Sequence, residues 1–368
     1  MKAGEKKIAI ITWYNFGMNY GQTLQAYALQ KVLSLQGYYA ETLTYGFGIY
    51  SKITFLNNQK RKKRIGKQKA ACQKKFDRFI RKNMFVSKPL CGKQDVELYL
   101  KKKRFDAVIC GSDQIWNPYN IDSVYYLNLD INLKKIAYAP SIISEHFSDK
   151  FDEYPEVGEW VQKIDCLSVR EKTGAGIIYK LSGVTPEIVL DPTLLLCGFE
   201  WEKLLERGEK PRGYIFCYLF DITESQKKFV VQLSQKIGVP KIIFADILME
   251  NNNYVETVKD LSPEGFLTLI KNADAVVTDS FHGTAFSILF QKEFYVIDNG
   301  VDDDSDKYYN IDRMITLLAT VGLEERILND VSINCIESIK KIDYSQVNGM
   351  LEMARHNSLD FLVNAINN

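Results

Sequence analysis

The sequence lacks the short signatures that would place it quickly in a well-known class. Its seven cysteines are odd in number and scattered, without a C-x-x-C pair, so we expect reduced thiols instead of a disulfide framework or a zinc site. No stretch approaches the roughly 20 apolar residues that a membrane-spanning helix needs. The lysine-rich start runs directly into an apolar strand, so no signal peptide is expected. These absences favour a cytoplasmic protein.

The common motifs of nucleotide and hydrolase sites are missing as well. No P-loop, G-x-S-x-G or H-E-x-x-H occurs. The segment Asn19–Thr23 is not a G-x-G-x-x-G, and no acidic residue follows the next strand at the expected place, so dinucleotide binding is poorly supported. Asp302-Asp303-Asp304 resembles the metal-binding D-x-D of some glycosyltransferases, but it lies in a polar loop with Asp306, which favours a solvated turn, and no metal site is predicted.

A net charge of only +1 hides a strong asymmetry. The segment Lys60–Arg104 holds 18 of the 47 basic residues and three of the 46 acidic residues. The rest of the chain holds the other 29 basic and 43 acidic residues, so a cationic segment belongs to an otherwise anionic molecule. Such a run is typical of a nucleic-acid contact and also of a solvated surface helix.

Short apolar runs alternate with helix-length amphipathic stretches, which is the pattern of α/β proteins with parallel sheets. Lys7–Thr12 is predicted as a buried strand and Thr23–Gln36 as a helix that ends before Gly37. The helix presents one predicted core stripe, formed by Leu24, Ala28, Val32 and Leu35.

A second series of strands and helices begins after Gly213, and at roughly 150 residues per domain the length also fits two domains. We therefore predict two Rossmann-like α/β domains that face each other across a cleft. The first covers residues 1–193, with the basic segment 60–104 as an insertion, and the second covers residues 194–345. Residues 346–368 are predicted as a helix that packs back on the first domain.

Ligands of open α/β sheets bind outside the carboxyl ends of the strands, so residues that directly follow strands are the candidates for function. The strongest group follows the strand Ala275–Thr278. Ser280 is placed to cap the next helix, and the free amides around Gly283 and Thr284 form a potential anion site. His282 lies beside it and can carry a proton. A capping serine with a structural histidine is the alternative.

Three further places follow strands of the first series. Asn19 precedes the first helix, where an ordinary turn is an equal alternative. Asp113, Gln114 and Trp116 could hold a sugar by hydrogen bonds and stacking, although Trp116 fits a core position equally well. Arg170 follows a predicted strand directly and is suited to clamp a carboxylate or phosphate, with an ion pair to Glu171 or Asp165 as the alternative.

Five segments together resemble the polysaccharide pyruvyl transferase family in order and spacing. They are NYGQTLQAYALQKVL, VICGSDQIWNP, SVRE, VLDPTLLL and ADAVVTDSFHGTAFSILFQKEFYVI. The resemblance implies two Rossmann-like domains in a glycosyltransferase-B-like arrangement. It also implies transfer of the enolpyruvyl unit of phosphoenolpyruvate to two hydroxyls of a sugar, which gives a cyclic ketal without a metal or another cofactor.

The resemblance also implies roles for the candidate residues. His282 would contact the phosphate or donate the proton, while Ser280, Gly283 and Thr284 cradle the phosphate. Arg170 would clamp the donor. On the acceptor side, Asp113 and Gln114, with Asn19, would hold or deprotonate the sugar hydroxyls, and Trp116 would bind the sugar.

The sequence departs from the family pattern at one informative place. The better known form of the second-domain motif has an arginine before the histidine, and here Phe281 occupies that place. Either Arg170, Lys307 or Arg313 supplies the missing cation, or the donor differs. A nucleotide-sugar glycosyltransferase is the enzyme alternative, and a non-catalytic anion-binding scaffold is the other.

The resemblance also gives the basic segment an interpretation. Enzymes of cell-surface polysaccharide assembly often meet acceptors carried on a lipid diphosphate. We therefore predict that residues 60–104 lie near the cleft mouth and bring the enzyme to the inner face of the membrane. Nucleic acid is not expected as a partner.

Overall fold

The structure, a computed structural model, describes residues 6–14, 18–46, 67–142, 145–208, 211–220, 222–245, 255–258, 260–298, 311–328 and 339–368. It divides into two compact units, Met1–Leu195 with Ala354–Asn368, and Leu196–Met353. Each unit contains a six-stranded sheet in which every described pair of strands is parallel. The prediction of two Rossmann-like α/β domains is confirmed.

The first unit has strand order β2-β1-β3-β4-β5-β6. Its strands are β1 (Lys7–Ile11), β2 (Tyr39–Thr42), β3 (Ala107–Cys110), β4 (Lys134–Ala137), β5 (Cys166–Val169) and β6 (Glu187–Ile188). Its helices are α1 (Tyr20–Leu35), α2 (Lys67–Asn83), α3 (Lys93–Lys103), α4 (Glu156–Gln162), α5 (Lys172–Ser182) and α6 (Pro192–Leu195), with a 3₁₀ segment at Glu145–Glu153. The central strands are apolar on both faces because helices cover both.

The second unit has strand order β12-β11-β10-β7-β8-β9. Its strands are β7 (Tyr214–Tyr218), β8 (Lys241–Ala245), β9 (Val255–Val258), β10 (Ala275–Thr278), β11 (Glu293–Ile297) and β12 (Ile327–Leu328). Its helices are α7 (Gly198–Glu202), α8 (Glu224–Ile237), α9 (Pro263–Asn272), α10 (Phe281–Leu289) and α11 (Ile311–Val321), with a short 3₁₀ turn at Glu324–Arg326.

Helix α1 is buried over most of its circumference, whereas the sequence predicts a single core stripe. Two helices account for this: α6 packs against α1, and α2 covers another side of it through ring contacts of Tyr20 with Phe76 (5.2 Å between centroids) and Tyr27 with Phe79 (5.7 Å). Leu35 was predicted in the core and is instead 56% exposed at the end of the helix.

The last helix, α12 (Tyr344–Asn367), belongs to both units. In the second unit, the Tyr344 hydroxyl donates to the Lys292 carbonyl at 2.5 Å. In the first unit, the Leu190 amide donates to Ser358 Oγ at 2.9 Å, and Arg355 Nε donates to the Leu194 carbonyl at 2.7 Å. The prediction that the C-terminal helix packs on the first domain is confirmed for its second half.

The described part of the basic segment forms α2 and α3, while residues 60–66 lie outside the described ranges. Within the part of the chain that the structure describes, no helix combines the length and apolar character needed to cross a bilayer.

Candidate functional site

In the second unit, the candidate residues lie where β10 ends and α10 begins. Thr278 closes the strand by donating its hydroxyl to the Tyr218 carbonyl at 2.7 Å and accepting from the Ser280 amide at 3.0 Å. Ser280 caps α10, with its Oγ 3.5 Å from the Gly283 amide. The capping role expected for Ser280 is therefore present, and the first turn of α10 points its amides to this turn.

Gly283 is required here by the close approach of α10 to the strand end. A Cβ at this position would lie 2.3 Å from Thr278 Oγ1, which no side chain tolerates without a shift. Thr284 turns its hydroxyl back into the helix and donates to the Ser280 carbonyl at 3.0 Å. The Thr284 amide also donates to the Ser280 carbonyl, at 3.0 Å. The prediction of free amides at Gly283 and Thr284 is therefore wrong, because both amides donate to the Ser280 cap.

Three side chains gather beside this turn. The rings of Phe281 and His282 meet edge to face with centroids 5.2 Å apart. The guanidinium carbon of Arg313, from α11, lies 5.9 Å from the centre of the Phe281 ring. All three are buried, with 1%, 6% and 6% of their surface exposed, respectively. The structure therefore puts a cation against the very residue that replaces the family's arginine.

Arg313 lies 32 positions after Phe281 in the sequence, and the residues between them include Lys307 and Asp302–Asp304. These last residues fall outside the described ranges. The sequence offered Arg313 only as one of three substitutes for the missing cation, and its sole local signal was a place in the first turn of a predicted helix.

In the first unit, the candidate residues lie in the loop after β3. Gly111 has φ 113°, and a Cβ there would lie 2.0 Å from the carbonyl oxygen of Tyr138, which follows β4. Only glycine fits at this position without a shift of the backbone. The Gly111–Ser112 peptide bond is cis, and Asp113 adopts a left-handed φ of 67°. The Asp113 carbonyl accepts from the Ser141 amide at 2.8 Å, so the loop is tied to the segment after β4.

A buried polar network holds this loop from beneath. Gln25, from α1, accepts from the Ser112 amide at 3.2 Å and donates to Thr12 Oγ1 at 3.0 Å. Thr12 in turn donates to the Ser112 carbonyl at 2.9 Å. The Ser112 hydroxyl lies 2.8 Å from Asp191 Oδ2. Three separate segments therefore fix the backbone that carries Asp113.

Arg170 belongs to the same network. Its Nη1 donates to Asp191 Oδ2 at 2.8 Å, and its Nε lies 3.8 Å from Glu171 Oε2. Its side chain is 1% exposed. The ion pair with Glu171 is thus present, but it is buried and is joined by Asp191, which is not among the partners predicted for Arg170 from the sequence. Two carboxylates already balance the charge of Arg170.

Of the other candidates of the first unit, some lie near the strand ends and one lies in the core. Asn19 caps α1 by accepting from the Gln22 amide at 3.1 Å. Gln114 is half-buried next to Asp113, which is 4% exposed. Trp116 is fully buried, stacks on Tyr126 with centroids 5.0 Å apart and donates from Nε1 to a backbone carbonyl. In this structure Trp116 is therefore a core residue, without an open face for a sugar.

The residues at the carboxyl-terminal ends of the strands differ in charge between the two sheets. The first carries the buried carboxylates of Asp113, Glu171 and Asp191, of which Glu171 and Asp191 pair with Arg170. The second carries Arg313 and His282 beside a helix N-terminus, and the carboxylate of Asp279, the residue before Ser280, accepts from the Phe220 amide at 3.1 Å through both oxygens. The first group suits hydroxyl donors and the second suits an anion.

Two parallel α/β units with polar residues gathered where strands end define the glycosyltransferase-B-like class. Solved structures agree with that fold. The chain is similar to S. aureus MnaA in a co-structure with UDP, at 10% identity over 99% of this chain and 98% of that chain, with a TM-score of 0.54. It is similar to UDP-GlcNAc 2-epimerase from Neisseria meningitidis bound to UDP-GlcNAc, at 10% identity over 98% and 99% of the two chains, with a TM-score of 0.53.

A plant protein shares the fold to the same degree. Arabidopsis thaliana UGT89C1 complexed with UDP is 9% identical over 98% of this chain and 100% of that chain, with a TM-score of 0.53. Identities this low show the fold alone. A search of curated proteins finds no match.

The chain belongs to the polysaccharide pyruvyl transferase family, whose family model matches residues 19–300. The matched stretch includes every candidate residue from Asn19 to Thr284, whereas Arg313 lies beyond it. The membership confirms the resemblance drawn from the sequence motifs and makes the protein a transferase of polysaccharide pyruvylation in general.

Proposed function

We propose that this protein transfers the enolpyruvyl group of phosphoenolpyruvate onto two hydroxyls of a sugar, in a polysaccharide or its lipid-linked precursor. The products are a cyclic pyruvate ketal and inorganic phosphate. The observation that carries the donor assignment is the burial of Arg313 against Phe281, whose ring also contacts His282, at the N-terminus of α10. A guanidinium and a helix N-terminus both favour an anion, and phosphoenolpyruvate has a phosphate and a carboxylate.

The reaction balances without a redox step. A proton adds to the methylene carbon of phosphoenolpyruvate, and one sugar hydroxyl attacks the neighbouring carbon as it loses its own proton. The carbon–oxygen bond to phosphate then breaks, and the second hydroxyl attacks the same carbon, which releases a second proton. Such chemistry needs a general acid, a base and stabilisation of charge.

On the donor side, residues of the second unit perform these tasks. His282 supplies the proton or contacts the phosphate at the N-terminus of α10. The Gly283 and Thr284 amides already donate to Ser280, so they favour the phosphate through the helix dipole and not by direct bonds. Arg313 supplies the cation that Phe281 cannot. Because two buried carboxylates already surround Arg170, its proposed contribution shifts from donor clamp to support of the Asp113 loop.

The acceptor side fits the first unit. Asp113 acts as the base that takes the hydroxyl proton, with Gln114 and Asn19 as hydrogen-bonding groups at the same sheet edge. Several carboxylates at the strand ends favour a neutral, hydroxyl-bearing ligand over an anion. No cofactor is needed, because phosphoenolpyruvate is itself the donor substrate.

The direct test incubates the purified protein with phosphoenolpyruvate and candidate sugar acceptors. We expect release of inorganic phosphate and an acceptor whose mass increases by pyruvate minus water. A nucleotide-sugar glycosyltransferase of the same architecture would release a nucleotide instead, and a non-catalytic scaffold would release neither. Either result contradicts the proposal.

The role of His282 is tested with His282→Ala and His282→Gln. If His282 donates the proton, kcat at saturating phosphoenolpyruvate falls about 10²- to 10⁴-fold in both variants. His356 is exposed on α12, so His356→Ala is the matched control and keeps full activity. Full turnover of His282→Ala at saturating donor would remove the proton-donor role.

A further inference from the structure

Helix α2 separates its apolar and basic residues onto opposite faces. Cys72, Phe76, Phe79 and Ile80 are buried against the first unit. Four cations spaced along the other face, Lys74, Arg78, Arg81 and Lys82, are exposed. The buried face gives the helix a fixed orientation, so these cations project from one side of the molecule.

An exposed aromatic ring follows this helix directly. Phe85 is 67% exposed although its backbone is tightly held. Its amide donates to Gln30 Oε1 at 2.8 Å, and its carbonyl accepts from Gln30 Nε2 at 2.7 Å and from the Thr42 amide at 2.9 Å. The fold thus fixes Phe85 in place with its ring largely in solvent, between the cations Lys82 and Lys88.

Helix α3 repeats the arrangement. Its apolar residues Val96 and Leu100 face the core, whereas Leu98 is 66% exposed on the opposite side. Lys101 and Lys102 lie three and four residues after Leu98, so they share its face of the helix, and both are exposed. A large apolar side chain is again flanked by cations.

Hydrogen bonds and ring contacts connect Phe85 to α3. The Phe85 ring packs on Tyr39, with centroids 6.5 Å apart. The hydroxyls of Tyr39 and Tyr99 both donate to the Glu41 carboxylate, at 3.2 Å and 2.5 Å. Since Tyr99 is the neighbour of Leu98 in α3, Phe85 and Leu98 are both connected through Glu41 to β2, the edge strand of the sheet.

We propose that this surface, formed by the exposed residues of α2, the connection to α3 and α3 itself, docks on a bilayer of anionic phospholipids. Residues 67–104 carry 13 basic and three acidic residues, so the charge complements an anionic surface. Phe85 and Leu98 insert at the interface, as amphipathic anchors flanked by lysine and arginine do. The proposal is independent of the catalytic assignment, because vesicle binding requires no turnover.

Co-sedimentation of the full chain with vesicles tests it. We expect binding to phosphatidylcholine vesicles containing 30% phosphatidylglycerol, about the fraction that gives a strongly anionic surface, and little binding to pure phosphatidylcholine. Lys101→Gln/Lys102→Gln lowers the partition coefficient about 25-fold, at about fivefold per cation. Phe85→Ser/Leu98→Ser lowers it at least about tenfold.

Matched controls come from the second unit. Phe199 is 66% exposed with Lys203 over its ring at 4.6 Å, so Phe199→Ser removes an equally exposed aromatic beside a cation. Lys228→Gln/Lys236→Gln removes two exposed cations from α8. Both controls keep wild-type vesicle binding if the proposed surface is the contact, and thermal melts establish that every variant is folded.

Three outcomes overturn the proposal. One is failure of the wild-type chain to bind the anionic vesicles. Another is equal loss of binding in the control and test variants, which would indicate a diffuse charge effect. The third is retention of a soluble anionic polymer, such as heparin, without vesicle binding, which would make the surface a site for a dissolved polyanion instead.

Discussion

At Phe281 an apolar ring occupies the first position of a helix whose N-terminus favours anions. The ring cannot bond a phosphate or a carboxylate, yet it offers a flat surface on which a guanidinium can lie. Arg313 takes that position from another helix, with its guanidinium carbon 5.9 Å from the ring centre. The cation that the motif lacks at Phe281 is therefore supplied by Arg313, and the local motif alone would not reveal it.

We predict that Arg313→Gln raises the KM for phosphoenolpyruvate about 10- to 100-fold, because a charge-assisted hydrogen bond contributes about 1.5–3 kcal/mol. Arg313→Lys keeps the charge and restores part of the affinity. Arg212 is exposed in the same unit, so Arg212→Gln is the matched control and leaves KM unchanged. Steady-state kinetics of phosphate release measure all three, and an unaltered KM in Arg313→Gln would contradict the role.

Sequence reasoning succeeded at residues whose environment is local. Ser280 caps its helix as its position after a strand predicts, because a cap depends on backbone groups only two or three residues away. Asn19 was open between an acceptor contact and an ordinary turn, and it caps α1 because that helix begins at Tyr20 and not at the predicted Thr23. Trp116 and Arg170 were each open between a ligand-binding and a structural role, since their burial depends on groups brought together by the tertiary fold. Asp191 meets Arg170 across 21 positions of sequence, and no short motif encodes that meeting.

At the scale of elements, the turn from β10 to α10 depends on one glycine. We predict that Gly283→Ala destabilises the protein, because its Cβ would lie 2.3 Å from Thr278 Oγ1 and the helix must shift from the strand. Overpacking of this kind costs about 1–3 kcal/mol. Gly176→Ala, in α5, meets nothing within 4 Å, so it stabilises by up to about 1 kcal/mol.

Urea unfolding of the two glycine variants measures both effects on the same scale. Opposite signs for Gly283→Ala and Gly176→Ala are the expected result, since both positions are helical and only their surroundings differ. A stabilising Gly283→Ala would show that the helix can move away from Thr278 without loss.

The network beneath the Asp113 loop is a second element whose parts act together. We predict that Asp191→Asn destabilises the protein by about 3–5 kcal/mol, because it leaves the buried Arg170 without its 2.8 Å carboxylate partner. Glu256 pairs with Lys241 at 2.6 Å on the surface, where both side chains are about half exposed, so Glu256→Gln changes the free energy of unfolding by less than about 1 kcal/mol.

Denaturant unfolding of the two carboxylate variants separates buried from exposed pairing. The double variant Arg170→Met/Asp191→Leu should be less destabilised than the sum of its single changes, since it removes both charges together. Additive losses would indicate that the two side chains contribute independently and that the ion pair is not the connection.

For the whole molecule, the alternation of strands and helices was enough to predict two Rossmann-like units, because a parallel sheet requires a helix-length crossover after nearly every strand. The numbers of acidic and basic side chains that meet at the strand ends of each sheet could not be predicted from the sequence. They depend on which strand ends become neighbours, and the strand orders β2-β1-β3-β4-β5-β6 and β12-β11-β10-β7-β8-β9 do not follow the sequence order. The motifs and the family resemblance already assign the donor to the second unit and the acceptor to the first, so only the reassignment of Arg170 rests on the observed contacts.

Helix α12 gives the last prediction, since its 24 residues are shared by both units. Met353 is 69% exposed at the point where the helix passes from the second unit to the first. Met353→Pro breaks the helix there, at a cost of about 3 kcal/mol, without removing a packed side chain. Because the Leu190 amide donates to Ser358 Oγ beyond that point, we expect this amide to exchange its hydrogen faster in Met353→Pro. Met353→Ala keeps a continuous helix and the slow exchange. Unchanged protection in the proline variant would mean that the second half of α12 stays docked on the first unit by its own packing, independently of the first half.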